Sequence, residues 1–264
     1  NFGSGRVVKS IALGGFHACA ILDDGSVKCW GRNSAGQLGI GTTDGTGVPT
    51  AVDLGSGRSA KTLVCSGYVS CAILDDESLK CWGNNEHGGL GDGTTTERRT
   101  PVALPSFSPV GVKDLSAGGS SCVLLNDNTV QCWGYNADGQ LGLGDDRSDK
   151  TTPVNVANFG SGRVVKSIAL GGFHACAILD DGSVKCWGRN SAGQLGIGTT
   201  DGTGVPTAVD LGSGRSALAL SLGGYLSCAA LDDGSIKCWG WNPQGQVGDG
   251  TKTDRNTPTT VIFP

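Results

Sequence analysis

The feature that most constrains this chain is a cysteine-framed segment that returns five times. Its first copy runs Cys19-Ala-Ile-Leu-Asp-Asp-Gly-Ser-Val-Lys-Cys29-Trp30-Gly31, and the others begin at Cys71, Cys122, Cys176 and Cys228. Each copy spaces two cysteines ten positions apart around an Asp/Asn-rich centre and closes on Trp-Gly. Self-similarity at a fixed period defines a repeat architecture before any single residue is weighed.

Centring the first copy on Asp24 sets Cys19 opposite Cys29 and Ile21 opposite Val27, with Asp23-Asp24-Gly25 as a three-residue hairpin loop. Opposed residues of a hairpin hold their Cβ atoms about 4.5–5.5 Å apart, nearer at non-hydrogen-bonded pairs, and a disulfide needs roughly 3.5–4.5 Å. The ranges meet, so Cys19–Cys29, Cys71–Cys81, Cys122–Cys132, Cys176–Cys186 and Cys228–Cys238 are expected as bridges within single hairpins. Each would contribute on the order of 2–3 kcal/mol. Two other readings stand beside this one: buried thiols packed as small apolar groups, and a metal site, which needs further ligands at closer spacing. The eleventh cysteine, Cys65, lies in the apolar stretch Leu63-Val64-Cys65 and is expected as a buried free thiol. In the turns, Asn128 and Glu77 replace the glycine; a left-handed glutamate costs about 1–2 kcal/mol, so the second hairpin is expected to be strained or to turn differently.

Glycine is abundant (46 of 264 residues) and charged residues are sparse (17%), which suits many short strands joined by tight turns. No apolar spacing is sustained at helical period. A net charge of −4 offers no basic face, which argues against nucleic acid and anionic membrane as partners. No apolar run is long enough for membrane insertion. The chain has neither a signal peptide nor an initiator methionine, so a processed product or an excerpt is expected. Bridged cysteines would place it outside the reducing cytosol, secreted or at the cell surface.

Taken in order, the chain divides into units at about 1–60, 61–110, 111–157, 158–217 and 218–264 within one domain. Each unit carries a first strand such as Val7 to Leu13, the cysteine hairpin, a glycine-rich turn region and a Pro-led strand such as Thr100-Pro101-Val102-Ala103-Leu104. Four short strands per unit is the pattern of an all-β propeller blade. Both faces of the hairpin's first strand are apolar, Cys19 and Ile21 on one and Ala20 and Leu22 on the other, which calls for neighbours stacked on both sides. Trp30, Trp82, Trp133, Trp187 and Trp239 would then fill the core between blades.

After each hairpin comes a segment such as Trp30-Gly31-Arg32-Asn33-Ser34-Ala35-Gly36-Gln37-Leu38-Gly39-Ile40-Gly41, departing only at Gly89 and Val247. With the preceding Leu-x-x-Asp-Gly hairpin, it resembles the repeat of the regulator of chromosome condensation family in all five units. The resemblance implies a β-propeller of that type. The cysteine pair is not general to the family and looks like a secreted, bacterial-type version. Known members usually carry seven blades, against five repeats here. Residues 1–60 are identical to residues 158–217, so the array looks built from a duplicated triplet. The expected ring is therefore either five blades or part of a seven-bladed one, with the stretch Thr257 to Phe263 beside Asn1-Phe2-Gly3.

A catalytic reading finds little support. His17 and His174 hold one position in identical units, Val69, Ser120 and Leu226 hold it elsewhere, and His87 lies in a loop. The Asp23-Asp24 pairs belong to turns. The segments Gly91 to Thr94 and Gly248 to Thr251, and the Asp145-Asp146 pair, offer oxygens for calcium but not the spacing of a calcium loop. No catalytic residue, metal site or cofactor is expected. What remains is the variable residue after Trp-Gly: Arg32, Asn84, Tyr135, Arg189 and Trp241, a candidate interaction ring on one face. The leading expectation is a non-enzymatic, secreted scaffold binding a protein through that face. The resemblance implies a range that includes nucleotide exchange on a small GTPase and inhibition of β-lactamases. The alternatives are self-association into an extracellular array and a lectin binding glycan through Tyr135 or Trp241.

Overall fold

The computed structural model describes residues 5–104, 107, 110–117 and 120–263. The chain forms five four-stranded antiparallel sheets, each with its strands side by side in chain order. Blade 1 comprises Val8–Leu13, His17–Leu22, Val27–Gly31 and Thr46–Val52; blade 4, built from the identical sequence, comprises Val165–Leu170, His174–Leu179, Val184–Gly188 and Thr203–Val209. The first strands of blades 2, 3 and 5 are Ala60–Ser66, Val112–Ala117 and Ala217–Leu222. The Asn1-Phe2-Gly3 junction expected beside the last strand lies outside the described residues.

The hairpin register is the one its period-two pattern dictates. Cys19 faces Cys29 and Ile21 faces Val27, while Leu22 N–H donates to Ser26 O at 2.9 Å across the three-residue loop. All five cysteine pairs are disulfides with Cα atoms 4.1 Å apart, the close spacing of a non-hydrogen-bonded antiparallel pair. Glu77 keeps the same turn as its neighbours by adopting φ 65°, beside 68° at Asn128 and 78° at Gly25. The second hairpin therefore accepts the left-handed cost rather than changing turn type.

Four hydrophobic clusters sit between successive blades. Between blades 1 and 2, Ile21, Val27 and Leu38 meet Leu63, Leu74 and Trp82; the other three clusters repeat this plan. Trp82, Trp133, Trp187 and Trp239 are fully buried there. Each indole N–H donates at 2.9 Å to a carbonyl of the preceding blade: Gln37, Gly89, Gln140 and Gln194. This contact explains the conserved shape of the turn region within the chain. Gly39 has φ 71°, and a Cβ there would stand 2.7 Å from the Trp82 indole nitrogen; Gly196 meets Trp239 in the same way. Asn33 ties the turn internally, accepting from Leu38 N–H at 2.9 Å and donating to Thr42 O and Asp44 O at 2.8 and 3.0 Å.

Blades 1 and 5 share no such cluster among the described residues, and the duplicated sequence reveals what this means. Val165, Ile168 and Leu170 of blade 4 are 2%, 6% and 9% exposed beneath blade 3. Their identical counterparts Val8, Ile11 and Leu13 are 40%, 59% and 68% exposed. Trp30 departs from the expected interblade burial for the same reason: it is only partly buried, unlike the other four. Among the described residues the blades form an open arc, with one apolar face of blade 1 left uncovered. They nonetheless share an axis, because Leu13, Cys65, Ala117, Leu170 and Leu222, the same position in each unit, line one cavity of about 380 Å³.

Candidate functional site

The residue after each Trp-Gly is presented by one backbone device. Gly31, Gly83, Gly188 and Gly240 turn the chain with φ between 108° and 114° or nearby, and the next N–H bonds back to the hairpin's entry: Arg32 to Phe16 O, Asn84 to Tyr68 O, Arg189 to Phe173 O and Trp241 to Tyr225 O, each at 2.9 Å. These residues therefore occupy equivalent places around one face. Tyr135 completes the set, its carbonyl accepting from Ser120 Oγ at 2.6 Å and its ring 4.8 Å from the His87 ring. His87 Nδ1 in turn meets Asp149 at 2.8 Å.

The ring is not uniform. Arg189 and Trp241 are brought together in a cavity of about 540 Å³, lined also by Tyr225 and Asp254. Trp241 is 45% exposed, the only tryptophan among the large exposed apolar side chains. Asp254 is held by Asn242 N–H at 2.6 Å. Beside this cavity the Arg189 guanidinium carbon lies 5.4 Å from the Phe173 ring centre and 5.5 Å from that of Tyr225. Arg32 repeats the arrangement against Phe16 and Tyr68, at 5.5 and 5.4 Å. Sequence reasoning singled out the arginines but missed these rings. The signal was present: an aromatic residue follows the glycine pair or single glycine at Phe16, Tyr68, Phe173 and Tyr225.

Groups with catalytic potential are disarmed by their surroundings. His174 is buried, its Nε2 2.7 Å from Ser227 Oγ, and burial lowers its pKa to about 4; His17 is held likewise by Ser70 at 2.8 Å. Burial pushes the Cys65 thiol up to about 11, against a smaller downward pull from Ser70, so it stays protonated at neutral pH. His17, Cys19 and Cys65 gather their potential ligand atoms within 4.8 Å, a cluster the sequence did not suggest. Cys19 is committed to its disulfide, which leaves two donors rather than a metal shell. The Gly-Asp-Gly-Thr carboxylates are also engaged: Asp92 accepts from Thr94 and, at 2.6 Å, from Arg98, and Asp249 is bound in the same way by Thr251 and Arg255. Asp146 is taken up by Ser148 and Lys150.

Five stacked four-stranded sheets, each with its own disulfide and each presenting a variable side chain from an equivalent turn, define a propeller-type repeat protein. The chain belongs to the RCC1-like domain family, whose model matches residues 5–263. It is 29% identical over 262 residues to the ultraviolet-B receptor UVR8 of Arabidopsis thaliana, covering 98% of this chain and 59% of that protein. Among solved structures it is similar to human WBSCR16, with TM-score 0.86, 22% identity, and coverage of 98% of this chain and 68% of that one. It is also similar to yeast RCC1 (Prp20) in a complex with Kap60, with TM-score 0.82, 23% identity, and coverage of 96% and 63%. RCC1-like propellers are a protein-interaction scaffold family.

Proposed function

We propose that this chain is a non-enzymatic, secreted scaffold that binds another protein through the face carrying Arg32, Asn84, Tyr135, Arg189 and Trp241. The observation that carries the reading is the cavity where exposed Trp241 and ring-flanked Arg189 meet Tyr225 and Asp254. Tryptophan, tyrosine and arginine around a recess are the residues that anchor protein interfaces. Yeast RCC1, similar to this chain in fold, was solved bound to Kap60, which supports protein binding as the general role. Secretion is supported by five disulfides, which persist in oxidising compartments.

The test is affinity capture from the native extracellular milieu, comparing the wild-type chain with Trp241→Ala and Arg189→Ala. Partners that disappear with either variant support the reading, and partners retained by both contradict it. A second reading, self-assembly, is favoured by the uncovered apolar strand of blade 1, where Ile11 and Leu13 are mostly exposed. Native mass measurement distinguishes them: a discrete monomer opposes assembly, and a ladder of oligomers supports it. A glycan array tests the lectin alternative.

A further inference from the structure

Two arginines on the proposed binding face are built differently from the chain's other paired arginines. Each hairpin arginine reaches an Asp-Asp turn, as Arg58 does with Asp76 at 2.6 Å. Arg32 and Arg189 join no ion pair among the described residues. Each instead seats its guanidinium against a pair of neighbouring rings: Arg32 against Phe16 and Tyr68, Arg189 against Phe173 and Tyr225, with the guanidinium carbon 5.4–5.5 Å from every ring centre. The rings of each pair stand 5.7 and 5.6 Å apart with interplanar angles of 35° and 38°. A serine fixes the inner edge, because Arg32 Nε donates to Ser34 Oγ at 3.0 Å and Arg189 Nε to Ser191 Oγ at 3.2 Å. The Phe and Tyr of each pair come from adjacent blades, so each guanidinium sits at the seam between two sheets.

A guanidinium held against two rings and by one hydrogen bond on Nε keeps its two terminal nitrogens for a planar, two-oxygen acceptor. The ring contacts and the serine bond restrict the side chain before binding, which lowers the entropic cost of binding. We propose that Arg32 and Arg189 are preorganised prongs for carboxylates on an acidic segment of a partner protein. This rests on the reading of the face given above and adds its chemistry. Nucleic acid fits less well. The whole chain carries −4, and a carboxylate already stands beside one prong, since Asp254 lines the Arg189 cavity. The guanidinium fork matches the planar, two-oxygen carboxylate, and the chain offers no continuous basic tract for a nucleic-acid backbone.

The experiment measures fluorescence anisotropy of a fluorescein-labelled peptide of six glutamates with the full, oxidised chain, against the same peptide of six glutamines and a labelled thymidine oligonucleotide. The glutamate peptide is expected to bind and to weaken as salt is raised, with neither control binding. Combining Arg32→Gln with Arg189→Gln should weaken binding by at least about tenfold. The Arg→Lys pair, which keeps the charge but not the fork, should also bind more weakly than wild type. Equal binding of both peptides, tighter binding of the oligonucleotide, or full affinity in the lysine variant would each overturn the proposal. Because the peptide comparison uses the unmodified chain, it decides the matter even where a variant fails to fold. Dimerisation of the wild type that Arg32→Gln abolishes would also overturn it, since the prongs would then seat a second copy. If capture remains sensitive to Trp241→Ala while the glutamate peptide does not bind, only the acidic chemistry falls and the face reading stands.

Discussion

At the scale of single residues, burial decides what the polar groups can do. His174 has no path to water, and its pKa of about 4 against an ordinary 6.5 means that the folded protein prefers the neutral ring. The unfolded chain takes up the proton first as pH falls, so this contribution to stability is complete above about pH 6.5 and is lost on the way down to about pH 4. The loss reaches about 3 kcal/mol for this one residue, and the urea midpoint should fall between pH 7.5 and 4.5. His174→Gln, which keeps a hydrogen-bonding group for Ser227, should make that slope shallower, and adding His17→Gln should reduce it further, because burial lowers His17 to about 4 in the same way. Asn33 and its counterparts Asn85, Asn136, Asn190 and Asn242 carry a second demand, since each side chain closes its turn with both a donor and an acceptor. Asn190→Asp exchanges the donor for a carboxylate facing Thr199 O and Asp201 O and should cost about 2–3 kcal/mol, read from chemical denaturation. Gly39→Ala combines a left-handed backbone with contact against the buried Trp82 ring and should lower stability by about 2–4 kcal/mol.

At the scale of the element, the hairpin was the most legible part of the sequence. Alternation, the Asp-Gly turn and the ten-residue cysteine spacing together fix which residues face one another, so Cys19–Cys29 and Ile21–Val27 follow from local rules. The aromatic residues after the glycines were legible one by one, but their meeting with the arginines was not, because Tyr68 reaches Arg32 only after the chain has completed one blade and begun the next. Local pattern places each side chain on a face but not the ring from the neighbouring sheet that will cover it. The disulfide of each hairpin closes a short loop, so removing one as Cys122→Ala with Cys132→Ala should cost about 2–3 kcal/mol. Thermal denaturation of the double variant beside the wild type checks this. Those cysteines lie in the core between blades 3 and 4, so part of the loss will come from packing as well as from chain entropy.

At the scale of the whole molecule, the arrangement of blades follows from matching faces. Each interblade core joins the Cys–Ile/Leu–Val side of one sheet to the Trp side of the next. Acrylamide should therefore quench Trp30 and Trp241 while leaving Trp82, Trp133, Trp187 and Trp239 protected. Combining Trp30→Phe with Trp241→Phe should remove the quenchable fraction of the emission, and a quenched remainder would mean that the interblade cores are looser than described. The exposure of Trp30 could not be read from its letters, because Trp187 has the same neighbours along the chain and is fully buried. The duplicated segment thus acts as a matched pair in one experiment: the same sixty amino acids, once flanked on both sides and once on one. Among the described residues of this 264-residue chain, blade 1 lacks a nearest-neighbour contact that blade 4 has. On heating, blade 1 should let go before blade 4, so that an intermediate with a frayed edge and an intact middle exists although the two units share every side chain. Robustness here belongs to position in the stack and not to the wording of the repeat.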